Sequence, residues 1–219
     1  MKKKFNESYI GIRMDLLKHV KGENLKVLDI GCATGENIKY LRGQGMIGYS
    51  EGLEIDQKMA KLAKFNIEKV VVGDINNQHV FNELSDIEFD IILIGDVLEH
   101  LNDPWQILQK LTLKLKDKGK VVFSVPNISH IDVFIHVFIK GYWPYNERGI
   151  FDKTHIRMFT KQNIKELVES AKLTLSKLDR NYRYRDKIGS SFPFYGIFLK
   201  KLFPDLYTFQ YIAVCEKSK

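Results

Sequence analysis

The chain has only two cysteines in 219 residues, Cys32 and Cys215, each inside an apolar run and far apart. No CxxC pair exists, which argues against a zinc ribbon or a thioredoxin-type site. Reduced thiols and a cytoplasmic location are the expectation. Long apolar runs are also missing. The nearest, Ile131 to Ile139, carries Asp132 and His136 and falls short of the ~20 residues a membrane span needs. The start, Met1-Lys2-Lys3-Lys4, is basic, but Asn6, Glu7, Arg13 and Asp15 interrupt the stretch after it, so no secretory leader is expected. There is no fixed-period repeat and no low-complexity stretch. With 44% apolar and 28% charged residues, the composition excludes a disordered, collagen-like or disulfide-scaffold chain. The net charge of +7 suits an anionic ligand or surface.

What is present is an alternation. Apolar runs at Lys26–Ile30, Ile47–Ile55, Glu68–Val72, Phe89–Ile94 and Lys120–Val125 read as strands. Helical spacing predicts helices over 8–20, from Glu36 to Arg42, around Met59 to Phe65, from Pro104, and after Thr160, which is placed as a cap. Leu173–Leu178 and Tyr207–Cys215 complete a set of seven strands. Near-continuous apolar strands alternating with helices predict an α/β fold, a doubly wound and mostly parallel sheet with helices on both faces. The rhythm breaks at 126–160 and 180–204. One domain over 1–219 is expected, with its core at about 22–125 and 161–217 and those two segments as insertions on the substrate side.

The chemistry concentrates where strands end. Val27-Leu28-Asp29-Ile30-Gly31-Cys32-Ala33-Thr34-Gly35 runs a strand into a glycine turn and then a helix. Gly31 lets a ligand approach the backbone, and Gly35 permits a tight helix entry. A dinucleotide fingerprint wants a third glycine where Glu36 stands, and a carboxylate there would repel a diphosphate. A zwitterionic amino-acid tail fits that position better. Glu54, in Gly52-Leu53-Glu54-Ile55-Asp56, lies about 20 residues further on, where an acid accepts both ribose hydroxyls. Asp56 reads as a helix cap. Asp74, after Val72-Gly73, is placed to accept from an adenine amino group, and Gly95-Asp96 ends the fourth strand. Four successive strands thus end in a carboxylate.

These pieces, VLDIGCATG, GLEID, VVVGDI and FDIILIGDVLEHLNDP, resemble class I S-adenosylmethionine-dependent methyltransferases over about residues 24–125, and more loosely over 150–215. The resemblance is to the branch that includes ubiquinone and sugar O-methyltransferases. It implies S-adenosyl-L-methionine as cofactor. Asp29, Gly31, Cys32, Gly35 and Asp96 would line the methionine end, Glu54 with Ile55 the ribose, and Asp74 with Ile75 the adenine. It also implies a seventh strand antiparallel and inserted beside the sixth.

Hydroxyl methylation needs a proton acceptor near the donor. His100, in Asp96-Val97-Leu98-Glu99-His100, is one candidate base. The other is His155, in Gly149-Ile150-Phe151-Asp152-Lys153-Thr154-His155-Ile156-Arg157, a segment that resembles part of bacterial glycan-linked methyltransferases. Asp152 would orient His155, and Arg157 would bind a substrate anion or pair with Asp152. Asp96, Glu99 and His100 are donors that suit a hard divalent ion, but no clear fourth ligand is seen, so no metal is expected. The expected acceptor is a small molecule or glycan, not nucleic acid, because no Asn-Pro-Pro-Tyr or Asp-Pro-Pro-Tyr comes after the fourth strand. Aromatics interleaved with lysines at 192–204 suggest peripheral contact with a membrane, with packing on the sheet edge as the alternative. Two other functions stay open at this point: a nicotinamide-dependent oxidoreductase, and a non-catalytic module that binds the cofactor.

Overall fold

The computed structural model describes residues 11–187 and 189–217. Seven strands form one sheet: β1 (Leu25–Ile30), β2 (Ile47–Glu54), β3 (Lys69–Val72), β4 (Phe89–Gly95), β5 (Leu115–Pro126), β6 (Leu173–Tyr182) and β7 (Thr208–Lys217). Their order is β3-β2-β1-β4-β5-β7-β6. The first five are parallel, while β7 lies antiparallel to both β5 and β6. The expected class and the inserted antiparallel strand are both present.

The sheet is covered on both faces because its strands are apolar on both. Leu28, Ile30, Ile92, Ile94, Val121 and Phe123 pack into one core. Their chain neighbours Val27, Ile91, Leu93 and Val122 pack into the other. Successive side chains point to opposite faces, so a continuous apolar run buries both.

Helices start where the sequence offers acceptors for their free N–H groups. Asp56 caps α3 (Gln57–Ala63) through Lys58 and Met59. Asp103 caps α5 (Pro104–Leu113), whose proline sits in the first turn. Thr160 and Asn163 form a reciprocal capping box on α7 (Lys161–Ser170). α2 is Glu36–Gly43.

Four local expectations need correction. Of the predicted helix 8–20, the described part is helical only over α1, Met14–Leu17, and Ser8 and Tyr9 lie outside the described residues. β5 begins at Leu115, and the Lys118-Gly119 turn sits inside its span, with Lys118 at φ +66°. β6 runs to Tyr182 because Asp179, Arg180 and Asn181 keep pairing with Ile212, Tyr211 and Gln210, so the second insertion starts later than residue 180. A short helix α4 (Gln78–Asn82), capped by Asn77, has no counterpart among the predicted helices, since five residues carry too little periodicity to read. α6 (Ile131–Phe134) and α8 (Phe194–Leu202) lie in the insertions, and α9 (Pro204–Tyr207) runs past the second of them, so that β7 starts at Thr208 rather than Tyr207. No helix among the described residues is long and apolar enough to cross a membrane.

Candidate active site

In this strand order the chain reverses direction of winding between β1 and β4, the switch point at which open α/β sheets bind ligands in a crevice beyond the strand C-termini. The turn after β1 forms its floor. Gly31 adopts φ +73°, and a Cβ at this position would stand 2.6 Å from Val97 Cγ2. Its N–H, like that of Cys32, donates to the Leu53 carbonyl (2.8 and 3.2 Å). Ala33 is held at φ +47° while its N–H donates to Glu54 Oε2 at 2.9 Å. Gly35, at φ +80°, precedes α2.

Glu54 therefore does more than end β2. Its second oxygen accepts from the Asp56 N–H at 2.8 Å, so one carboxylate ties the β1 turn to the β2 exit. Each oxygen keeps a further lone pair for a ligand hydroxyl. Ile55 stands beside it with 52% of its surface exposed, an apolar platform at the crevice. Asp74 is exposed and holds Asn76 through that residue's N–H (2.9 Å) and amide (2.8 Å). Ile75 departs from expectation: its side chain is packed into the core rather than laid on the crevice wall. Cys32 is also buried, and burial first, then Asp29 and Glu54, push its thiol far up, so it is a packing residue and not a nucleophile.

Asp29 is 2% exposed and receives one long hydrogen bond, from Asn37 Nδ2 at 3.4 Å. Burial raises its pKa to about 7, with the Glu54 charge adding to the effect. A raised carboxylate pKa means the folded protein holds a proton that the unfolded chain releases near pH 4. Stability from this residue is therefore full at acid pH and is lost as pH rises toward about 7. Asp29→Asn is expected to make the ligand-free protein more stable than wild type at pH 8, by on the order of a few kcal/mol, and equal to it near pH 4. Thermal unfolding at the two pH values checks this. A cationic ligand would favour the ionised form, so the same variant is expected to bind it more weakly.

Asp96 stands directly after β4 at φ +55°, a left-handed conformation that costs a non-glycine residue energy and marks a constrained site. Its carboxylate is gripped from three elements. Arg13 Nη1 donates at 2.7 Å, Ser124 Oγ at 2.7 Å and Gln210 Nε2 at 2.5 Å. Arg13 also bonds Asp15, Ser124 Oγ and Gln210 Oε1, and its own N–H donates to Asn37 Oδ1 at 2.9 Å. Sequence reasoning missed Arg13, Ser124, Gln210 and Asn181, which bonds both Asp15 and Gln210. Nothing local marks them. A lone arginine in a helical stretch and polar residues within strands look ordinary until the sheet assembles them.

The two candidate bases lie just beyond Asp96. Leu98–His100 forms a single 3₁₀ turn, and the N–H groups of Ile156 and Arg157 both donate to the Glu99 carbonyl at 3.0 Å. That clamp brings His155 over Glu99, with Nε2 3.9 Å from Oε1. His100 stacks edge-on against His155, ring centres 4.8 Å apart, and turns Nδ1 toward the Thr154 carbonyl at 3.1 Å. Glu99 is 1% exposed, and burial, then the Asp96 charge, raise its carboxyl well above the usual range. Burial, then His100, lower the pKa of His155. One ligand atom each from Glu99, His100 and His155 falls within 4.8 Å of the others. The trio expected from sequence is different: His155 stands where Asp96 is placed by that expectation.

Two expected partnerships are absent. The Asp152 carboxylate does not hold the His155 ring; it accepts from the Thr154 N–H at 2.8 Å and hydroxyl at 2.6 Å, and only the Asp152 main-chain carbonyl takes the His155 N–H (3.1 Å), while Glu99 is the carboxylate facing the imidazole. Arg157 neither pairs with Asp152 nor projects freely. It donates to the Asn102 carbonyl and lies 5.8 Å over the Trp105 ring.

The crevice suits S-adenosylmethionine on its own geometry. The turn at Gly31 is a cradle that a Cβ would fill, Glu54 has lone pairs for a ribose diol, and buried Asp29 complements a cation. Glu36 at the head of α2, 3.4 Å from Lys39, opposes a diphosphate there and disfavours the nicotinamide reading. Fold and crevice together define the class I S-adenosylmethionine-dependent methyltransferase architecture. Comparison with known sequences agrees. The chain belongs to the methyltransferase domain family, whose model it matches over residues 2–178. It is 37% identical over 116 residues to an uncharacterised protein of Methanocaldococcus jannaschii, covering 52% of this chain and 42% of that one. It is 32% identical over 109 residues to the ubiquinone biosynthesis O-methyltransferase of Glaesserella parasuis, covering 47% and 45% respectively. These alignments span less than half the length of either relative. In fold it is similar to a SAM-dependent methyltransferase from Archaeoglobus fulgidus, with a TM-score of 0.64 at 22% identity over 93% of this chain and 89% of that one.

Proposed function

We propose that the protein transfers a methyl group to a hydroxyl of a small molecule or glycan. The observation that carries this reading is the buried His155–Glu99 pair beside Asp96, at the mouth of the cofactor crevice. S-adenosylmethionine, when bound, supplies an electrophilic methyl group on a sulfonium. The chain's own residues supply the rest. Glu54 and exposed Ile55 hold the nucleoside, Asp74 the base edge, and the Gly31 turn with Asp29 the amino-acid end. Arg13, already fixed on Asp96, offers a cation for a carboxylate in the same place.

A hydroxyl must lose its proton as it attacks, and His155 is the group that takes it. Its lowered pKa keeps it neutral, and so basic, at pH 7. The Glu99 carboxyl at 3.9 Å is positioned to steady the imidazolium, a separation that a fraction of an ångström of closure would turn into a hydrogen bond. His100 packs against the base and holds the Thr154 loop. No part of this scheme uses a metal ion.

Calorimetry of the protein with S-adenosylmethionine and, separately, with NADH tests the cofactor half. Binding of the first alone is expected. Turnover with hydroxyl, amine and thiol acceptors tests the other half. Transfer to amines only would overturn the hydroxyl reading. Cofactor binding with no transfer to any acceptor would make the chain a binding module.

A further inference from the structure

α8 is inside out for a surface helix. Such a helix turns its apolar stripe to the core and its polar face to water. In Phe194–Leu202 the one buried residue is Gly196, which backs onto Pro193 and Tyr184. The large apolar side chains face out: Phe194 is 93% exposed and Phe198 63%, with Tyr195, Ile197 and Leu202 also exposed. The segment after β5 repeats the pattern. Ile135–Ile139, a turn of π-helix, buries no residue and leaves Phe138 and Ile139 exposed.

These two segments belong to one end of the molecule. β5 and β6 both run antiparallel to β7, so their C-terminal ends share the crevice edge of the sheet. The loop after β6 is bolted to the start of α6. Asp132 accepts from Arg185 Nε and the Asp186 N–H, and His130 Nε2 bonds the Arg183 carbonyl at 3.0 Å.

The unpaired charge of these two stretches is basic, because the acids that border them are already engaged: Asp132 with Arg185, Glu147 with Lys153, Asp186 with the Ile150 N–H and Asp205 with Arg180. Between residues 187 and 204 the charged side chains are Lys187, Lys200 and Lys201; between 133 and 146 there is Lys140 alone; neither stretch holds an acid. Lys200 reaches over the rings of Tyr182 and Phe192 at 5.1 and 5.0 Å, which keeps its ammonium at the level of the aromatics. Apolar contiguity beyond scattered single residues marks a contact surface. A second copy of this chain would bring lysines against lysines across a twofold axis, which like-charge repulsion opposes.

We propose that this face docks on an anionic lipid bilayer. α8 lies in the interface plane, its aromatics enter the headgroup boundary, and its lysines meet lipid phosphates. The crevice edge then faces the bilayer, so an acceptor held at the membrane surface reaches His155 without crossing bulk water. The docking itself does not depend on the methyl-transfer reading, because its readout is partition and not turnover.

The test is co-sedimentation of the full chain with vesicles of phosphatidylcholine alone and of phosphatidylcholine mixed with phosphatidylglycerol. Binding to the mixed vesicles only, weakening with salt, is expected. The paired change Lys140→Glu with Lys201→Glu is expected to lower the partition coefficient about tenfold or more, given ~1 kcal/mol per basic residue at such a surface. Phe194→Ser with Phe198→Ser is expected to lower it as well, at every salt concentration. All four side chains point outward, so both variants keep the wild-type circular dichroism spectrum. Failure to bind mixed vesicles, or binding that both variants leave unchanged, overturns the proposal. So does a dimer in size-exclusion chromatography that the phenylalanine variant dissolves, or capture of an acidic protein without any affinity for lipid.

Discussion

His155→Ala is expected to slow methyl transfer to a hydroxyl acceptor by about 10²- to 10⁴-fold, the usual contribution of a positioned general base. Cofactor affinity is expected to stay close to wild type, because on the proposed reading His155 faces the acceptor, clamped over Glu99 by the Ile156 and Arg157 N–H groups. The pH profile separates this role from a structural one. Burial and the neighbouring His100 lower the pKa of His155, so the neutral base persists below its ordinary value of 6.5. Activity is expected to hold from pH 8 down through that value and to fall only at more acid pH. Glu99→Gln should move the acid limb of the profile, since it alters the group facing the imidazole while keeping its volume. A variant at 155 with near-normal turnover on the true acceptor would remove the histidine from the mechanism and leave His100 as the candidate.

The second large effect falls on Glu54. Glu54→Ala is expected to weaken S-adenosylmethionine binding about 10²-fold or more. Hydrogen bonds to a charged acceptor are worth about 1.5–3 kcal/mol each, and a ribose diol makes two. The variant also destabilises the protein without cofactor. Ala33 and Asp56 each lose the acceptor for their half-buried N–H, at about 1 kcal/mol per hydrogen bond. Ala33 sits at φ +47°, where little else holds it. A fall of about 4–8 °C in the unfolding temperature is expected alongside the loss of binding, at about 2–4 °C per kcal/mol for a chain of this size. Calorimetry and thermal unfolding read the two separately. Normal affinity in this variant would move the nucleoside away from the end of β2.

The strand ends proposed to hold the cofactor were readable because their features are local. One strand, one turn and one helix carry Asp29, Gly31 and Gly35, and the next strand end carries Glu54. Each role comes from a short stretch: glycine where φ is positive, an acid where a strand stops. The Asp56 and Thr160 caps were legible for the same reason, since a cap acts within three residues of itself. Ile75 went the other way. Its place beside Asp74 put it near the adenine, but an isoleucine close to a strand end can face either side, and packing with Phe81 and Leu84 took it into the core.

The acceptor end resisted reading because its partners are remote. Asp152 looked like the orienting acid for His155, three residues away. It is spent instead on the Thr154 turn, and Glu99, in another part of the chain, takes the position.

Periodicity by itself determined the doubly wound, mostly parallel sheet, because burying both faces of such a sheet is a demand each segment meets alone. Only the tertiary structure decided what surrounds Asp96. Arg13 and Gln210 stand 197 positions apart and meet on one carboxylate because β7 inserts beside β5. Contacts between side chains so distant in sequence are set by which strands become neighbours, and no local pattern records that.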